Sequence, residues 1–471
     1  MKQIDRIYIN GQFVAPKGTA TADIISPVDG TIASRLTYAN EADAQDAIIA
    51  ASRAQATYAQ STLPERAGYL QRIHDEIMLR MDALIEATIV EYGATRERAK
   101  WSNMLAATTF TGFIPVMEKY AFEKPVNEST VIMEPVGVSA IFTPWNSSSG
   151  SIAVKLAPAL AAGCAVIIKP SEFSPWQAQL IMEAIHAAGL PAGVVNMVNG
   201  RGDVISKALM ESNSVTKIAF TGSTTVGKMI AQQAVRTMKR LTLELSGKSA
   251  NIILEDADLS KALPLALQAI FMNNGQACIA GSRLLVPAGK LDEVKVGLLE
   301  AYQTFKVGNP NDATVNIGPV ASQQQFDRIQ RYIQVALDEG ATLIAGGLGH
   351  PEGLEQGFYV KPTIFMDVNN QMRIAREEVF GPVLTVIPYQ NEDEAIAIAN
   401  DTEYGLMTYF STTDVDHAKQ LARRVQSGRV LINTLKHDPL APFGGFKHSG
   451  IGRENGDFGI EAFLEPKALI V

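Results

Sequence analysis

"KIAFTGSTTVGKMIAQQA", Lys217 to Ala234, runs from an apolar stretch through a glycine-rich turn into residues with a helical repeat. Inside it, "FTGSTTVGKM" (Phe220 to Met229) sets Gly222, four residues, Gly227 and Lys228, the spacing of a triphosphate loop. That loop closes with Ser or Thr, whose hydroxyl holds magnesium, and this chain has Met229 there. A strand, a turn and a helix in this order still bring free backbone N–H groups to the positive end of a helix, which makes an anion site. Gly222 permits close approach, and Ser223 or Thr224 can cap the helix or donate to an oxygen. A plain tight turn accounts for the same residues. Val226, Met229, Ile230 and Ala234 share one helical face and are expected to pack.

The flanking sequence repeats the pattern. "GVSAIF" (137–142), "AVIIK" (165–169), "GVVNMV" (193–198) and "LTLEL" (241–245) are short apolar runs, with helical stretches from Pro175 and after Gly202. Continuous apolar runs suit strands covered on both faces, and their alternation with helices predicts a doubly wound parallel sheet. Ligands of such sheets sit at the carboxyl ends of the strands. "VNGRG" (198–202) supplies only part of a dinucleotide fingerprint. Near the start, "IYINGQFV" (7–14) has Asn10-Gly11 between apolar runs, a hairpin signal. Ala44, Ala47, Ile48 and Ala51 mark one amphipathic helix; Leu70, Ile73, Ile77, Met81 and Leu84 mark a second. Beyond residue 250, "NIGPV", "ATLIAGG", "YVKPTIF", "GPVLTVIPY", "LMTYF" and "RVLIN" are strand candidates. Helices are expected at 323–339 and 414–427. The fold class is α/β: a doubly wound parallel sheet followed by a second α/β domain.

Composition excludes several function classes. Among 471 residues, 41 Lys and Arg face 49 Asp and Glu, so nothing resembles a basic nucleic-acid footprint. "IAVKLAPALAAGCAVIIKP" is interrupted by Lys155 and Pro158, so no membrane span is expected. Two cysteines fit a reducing, cytoplasmic compartment rather than a disulfide scaffold. The histidines are scattered and form no metal-ligand spacing, so no metal is expected.

Cys164 lies among small apolar residues and reads as a buried core thiol. Cys278, in "FMNNGQACIAGSR", is surrounded by small residues and amides that permit a substrate to approach. A thiolate nucleophile also needs a base or an environment that lowers its pKa. Glu244 sits at the end of an apolar strand, either paired or kept for proton transfer. Asn146, after Pro144, is either an oxyanion donor or a turn former. These residues alone leave open a cysteine hydrolase or transferase, a triphosphatase and a non-catalytic binding protein.

In order along the chain stand "PWN" (144–146), "KLAPALAAGCAVIIKPSEFSP" (155–175), "FTGSTTVG" (220–227), "LELSGKSANII" (243–253), "NNGQAC" (273–278), "EEVFGPV" (377–383), "NDTEYGL" (400–406) and "PFGGFKHSGIGRENG" (442–456). As an ordered set they resemble the aldehyde dehydrogenase superfamily over essentially the whole chain. The resemblance implies NAD(P)-dependent oxidation of an aldehyde to its acid. Cys278 would form the thiohemiacetal and then the thioester, and Asn146 with the Cys278 N–H would hold the oxyanion. Glu244 would activate water, as in the hydrolytic branch and not the coenzyme-A-acylating one. Lys155 matches a lysine near the active site. Thr143, Pro144, Trp145, Ser171, Gly202, Phe220, Thr221, Gly222, Val226, Leu245 and Gly247 would line or approach the cofactor. Lys169 and Glu172 would hold the adenosine ribose, Ser223 the pyrophosphate, Glu378 the nicotinamide ribose, and Phe380 would pack near that ring. An acidic Glu172 beside the ribose favours NAD; Lys169 and Arg201 leave NADP possible.

The same resemblance implies a Rossmann-like dinucleotide-binding domain for NAD (1–118 and 135–246), an α/β catalytic domain (247–445) and small β oligomerisation strands. Segments 119–134 and 446–471 would join subunits into a homodimer or homotetramer. One departure stands out. Where the family carries an aromatic residue and proline after "PWN", this chain has Ser147-Ser148-Ser149-Gly150, with Val154 further on. Small residues should widen the substrate tunnel and three hydroxyls should make its entrance polar, which suits a bulky, aromatic or hydroxylated aldehyde. Met272, Ala277, Ile279, Leu435 and His437 are the other pocket candidates, and Lys436 or His437 could meet a polar tail.

Overall fold

A computed structural model describes residues 1–471. The deciding stretch is a strand, Val215–Thr221, a turn at Gly222 and Ser223, and a helix, Thr224–Ala234. The extended Ser223 is the helix N-cap, and its Oγ accepts from the Val226 N–H at 3.3 Å. Only Ile230 and Ala234 pack into the core; Val226 and Met229 are 38% and 54% exposed. The expected apolar face is therefore split. Its outer half borders an open groove, which periodicity cannot distinguish from a core.

Five parallel strands form the centre of an eight-stranded sheet, in the spatial order Arg240–Glu244, Val215–Thr221, Val138–Phe142, Val166–Lys169, Val195–Met197. The first of these in sequence, Val138–Phe142, lies in the middle. The next two extend to one side and the last two to the other. That reversal opens a crevice beyond the carboxyl ends of Val138–Phe142 and Val215–Thr221, where the flanking connections diverge. The hairpin Ile7–Ile9/Gln12–Val14 adds antiparallel strands at one edge, with Asn10 and Gly11 both at positive φ (53° and 81°) as its turn requires. Gly450–Ile451 closes the other edge against Leu243 and Glu244.

A seven-stranded sheet carries the second α/β unit, in the order Thr342–Ala345, Thr363–Met366, Val383–Tyr389, Arg283–Pro287, Ala250–Ile253, Met407–Ser411, Arg429–Ile432. All of its pairs are parallel except the first. Separate apolar clusters flank each large sheet. A third, antiparallel sheet pairs Ser129–Pro135 with Glu123–Val126 on one side and Leu464–Ile470 on the other.

Three local readings change. The second amphipathic pattern is two helices, Leu63–Leu79 and Met81–Tyr92, because Arg80 leaves helical geometry (φ −104°, ψ 9°). "NIGPV" makes only an isolated bridge between Val307 and Ile317. A 24-residue helix, Arg96–Lys119, lacks any counterpart in the sequence reading.

Candidate active site

The crevice predicted by the strand order is a groove of about 790 Å³. Thr143, Pro144, Trp145, Lys169, Ser171, Glu172, Gly202, Phe220, Thr221, Gly222 and Val226 line it. It continues into a second cavity of about 570 Å³ lined by Ser223, Leu245, Glu378 and Phe380, with Pro144, Trp145, Thr221 and Gly222 common to both. Gly247 lies just beneath, and its N–H donates to Glu378 Oε1 at 3.0 Å. Phe380 adopts φ 61°, a conformation side-chain-bearing residues avoid, and its ring meets Trp145 edge-on at 5.4 Å. Gln325 Nε2 holds the Phe380 carbonyl at 2.6 Å, and Arg328 holds the Glu378 and Val379 carbonyls.

The donors and acceptors of this groove fit a dinucleotide. Lys169 Nζ pairs with Glu172 Oε2 at 2.7 Å. Burial alone would raise Glu172, but Lys169 and backbone N–H groups bring its pKa below the usual value, so it presents a carboxylate able to accept from ribose hydroxyls. The other nearby cation, Arg201, is engaged by Asp203 at 3.0 and 2.8 Å. Both cations weighed for a 2′-phosphate therefore already have carboxylate partners.

Cys278 sits where the two α/β units meet. The preceding residues Asn273, Asn274 and Gly275 have φ of 55°, 58° and 72°, a tight left-handed coil fixed by side chains. Asn274 Nδ2 donates to the Gly93 and Pro319 carbonyls, and its Oδ1 accepts from the Gly318 N–H at 2.7 Å. Gln276 Oε1 accepts from Ala321 N–H, and Tyr92 Oη donates to the Asn273 carbonyl. A Cβ on Gly247 would stand 2.2 Å from the Cys278 carbonyl, so only glycine admits this loop. Asn146 Nδ2 donates to the Gln276 carbonyl at 2.9 Å. That bond fixes the amide plane and uses one of its two protons. Burial, then the charges of Glu378 and Glu244, push the Cys278 thiol up to about 12; the N–H groups of Cys278 and Ile279 act the other way. No histidine hydrogen-bonds to it. Cys164, as read from sequence, is a buried core thiol, near the Phe463 carbonyl at 3.4 Å.

Glu244 ends its strand fully enclosed, with no hydrogen-bond partner for either carboxylate oxygen. Burial and the charge of Glu454 hold its pKa well above the usual carboxylate value, opposed by Lys155, Arg453 and Arg429. Lys155 Nζ pairs with Glu454 Oε1 at 2.8 Å and donates to Thr221 Oγ1 at 2.6 Å. Glu454 and Thr221 thus complete an acid–cation network that sequence reasoning gave only in part. Residues 155, 221, 244 and 454 are too far apart in sequence for spacing to associate them.

A third cavity, of about 300 Å³, reaches Cys278, Asn146, Glu244 and Thr221 from the other side. Those four residues border both it and the cofactor-side cavity, so they form the neck between them. Ser147, Gly150, Val154 and His437 line it, as does Lys155. Met272, Ala277, Ile279 and Leu435 do not. Ala277 packs on one apolar cluster, Ile279 and Leu435 on another, and Met272 is half-buried. The expectation of three hydroxyls at the entrance is corrected. The helix Ser148–Ala162 turns Ser148 and Ser149 into the interior, 1% and 2% exposed, and presents Ser147, Gly150, Ser151 and Val154 instead. Sequence reading also missed the opposite wall, where Leu105, Thr108, Thr109, Gly112, Phe113 and Val116 form a helical stripe of the Arg96–Lys119 helix. Their three- and four-residue spacing was the available signal.

No helix is long and apolar enough to cross a membrane. Residues 13–469 match the aldehyde dehydrogenase family. The chain is 41% identical to a 3-succinoylsemialdehyde-pyridine dehydrogenase of a Pseudomonas species, over 100% of this chain and 99% of that one. It superposes with TM-score 0.97 on a Pseudomonas syringae aldehyde dehydrogenase variant crystallised with NAD+ and octanal (40% identity, 99% and 96% of the two chains). A Staphylococcus aureus betaine aldehyde dehydrogenase bound to NAD+ superposes with TM-score 0.95 (35% identity, 99% and 94%).

Proposed function

The chain belongs to the aldehyde dehydrogenase family and is an NAD-dependent aldehyde dehydrogenase; from that premise we propose the role of each residue at the neck. Cys278 gives up its thiol proton to water at the neck, and the Sγ thiolate attacks the aldehyde carbon, forming a C–S bond as the carbonyl π pair moves onto the oxygen. The second N–H of Asn146 and the backbone N–H of Cys278 stabilise that oxygen. NAD bound in the groove would supply the hydride acceptor and a positive charge that opposes the carboxylates now holding the thiol up. Lys169 and Glu172 would hold its adenosine end, Ser223 its pyrophosphate at the helix N-terminus, and Glu378 and Phe380 the other ribose and ring. Loss of hydride from that carbon to the bound acceptor, with the oxygen's electron pair re-forming the C=O bond, would leave a thioester on Cys278, which water resolves. Glu244, a stronger base for its raised pKa, takes the proton, and C–S cleavage releases the acid. Lys155, paired with Glu454 and bonded to Thr221, holds the charge beside it.

The single observation that carries this reading is the neck. Nucleophile, amide donor and unpartnered buried carboxylate converge where a dinucleotide groove meets a second cavity. We propose a bulky or long aldehyde as substrate, entering past Ser147, Gly150 and Val154, where small side chains leave room. The names of the relatives, one for a pyridine-bearing semialdehyde and one crystallised with octanal, agree with that class. We assign 1–118 and 135–246 to NAD binding, 247–445 to catalysis, and 119–134 with 446–471 to contacts in a homodimer or homotetramer. The free thiols suit a reducing, cytoplasmic setting.

The test is NADH formation with a panel of aldehydes, for the native protein and for Cys278→Ala. The native protein should turn over bulky aldehydes in preference to acetaldehyde, and the variant should lose at least about a thousandfold in kcat. NADH formation at the native rate by the variant would overturn the assignment of the nucleophile. A clear preference for acetaldehyde would overturn the substrate class.

A further inference from the structure

His437 stands on the wall of the substrate-side cavity, opposite the neck residues' own polar groups in function: it takes no part in the chemistry assigned above. Its Nδ1 lies 3.4 Å from Arg429 Nη1. A guanidinium has only donors, so Nδ1 must be the acceptor and the ring proton must reside on Nε2. Burial first, and then the charge of Arg429, hold the His437 pKa below its ordinary value, which keeps that tautomer neutral near pH 7. Nε2 has no hydrogen-bond partner in the protein, whereas the ring's other nitrogen is committed.

Arg429 also fixes where the ring stands. It donates to the carbonyls of Pro442 (2.8 Å), Asp438 (3.0 Å) and Ala441, and its guanidinium lies 5.2 Å from the Phe443 ring centre. Loop 437–443 is therefore wrapped around one cation, and both His437 and Phe443 face the cavity from it. We propose that His437 Nε2–H is a specificity-determining donor, which selects aldehydes carrying an oxygen acceptor, a ketone or hydroxyl, along the chain away from the reacting carbonyl. This rests on the substrate-side assignment of the cavity and narrows its substrate class. A donor held in place on the cavity wall discriminates because an acceptor-bearing tail meets a fixed partner that a tail without an acceptor cannot use. Arg429 is a positioning residue in this arrangement, setting tautomer and loop without touching substrate.

The experiment compares nonanal with a series of keto-nonanals in which the ketone steps along the chain, by steady-state kcat and KM for NADH formation. At least one ketone position should give a kcat/KM about tenfold above nonanal in the native protein. In His437→Leu the ratio of kcat/KM for the preferred keto-nonanal to that for nonanal should fall at least about tenfold, mainly through KM. His437→Gln, which keeps a donor, should restore part of it. Equal losses for nonanal and every keto-nonanal in His437→Leu, or no ketone position preferred by the native protein, would overturn the proposal while leaving aldehyde oxidation intact. Failure of nonanal and all keto-nonanals to yield NADH in the native protein would instead overturn the reading on which it stands, and the proposal with it.

Discussion

Glu244 is the residue whose environment says most about its work. Enclosed, unpartnered and beside Glu454, it keeps its proton to higher pH than an ordinary carboxyl. In its proposed role as base it acts only when ionised, so decay of the acyl-enzyme should accelerate as pH rises through that raised value. Glu454→Gln removes a repelling charge and frees Lys155, and both changes favour ionised Glu244. The profile of acyl-enzyme decay, followed after a single turnover, should move to lower pH. Glu244→Gln should allow a first burst of NADH and then slow about a hundredfold or more; loss of the burst itself would reassign the residue. Glu172 offers a second check. With Lys169 and Arg201 already paired to carboxylates, a 2′-phosphate meets repulsion. Glu172→Gln should raise kcat/KM for NADP relative to NAD by about tenfold, measured with one aldehyde. At this scale the sequence was informative: Cys278, Asn146 and Glu244 stand in short ordered motifs. The partner Glu454 was not singled out, because its meeting with Lys155 depends on how a C-terminal segment folds back.

At the scale of elements, the strand–turn–helix at Lys217–Ala234 was legible, since continuous apolar runs and a glycine turn have few other solutions. The Arg96–Lys119 helix was not singled out. Its tunnel face mixes Thr108, Thr109 and Gly112 with Leu105 and Phe113, which blurs the apolar repeat of a helix that lines a cavity rather than a core. The break at Arg80 was equally hidden, because the apolar period continues in phase across it. The loop before Cys278 depends on Asn274, which satisfies the Gly93 and Pro319 carbonyls and the Gly318 N–H at once. Asn274→Ala would leave those buried groups unpaired. It should cost about 3 kcal/mol of stability in chemical denaturation. Activity should fall further than folding does, because the same coil sets the position of Sγ.

For the whole molecule, the sheet of Glu123–Val126, Ser129–Pro135 and Leu464–Ile470 ends in unpaired strand edges, and Leu469, Ile470 and Val471 are exposed beside one of them. Such an edge is a template for another chain. If this edge joins the proposed homodimer or homotetramer, Ile470→Lys together with Leu469→Lys should lower the native mass in light scattering towards that of a monomer. An unchanged mass would place the subunit contact elsewhere. The narrow junction at Cys278 has a different consequence. Two chambers end at one sulfur, each with its own access, so neither visitor has to pass the other. On the proposed assignment the dinucleotide would leave along its own route while the acyl group stays on the enzyme, so the timing of its departure would be decoupled from that of the acid.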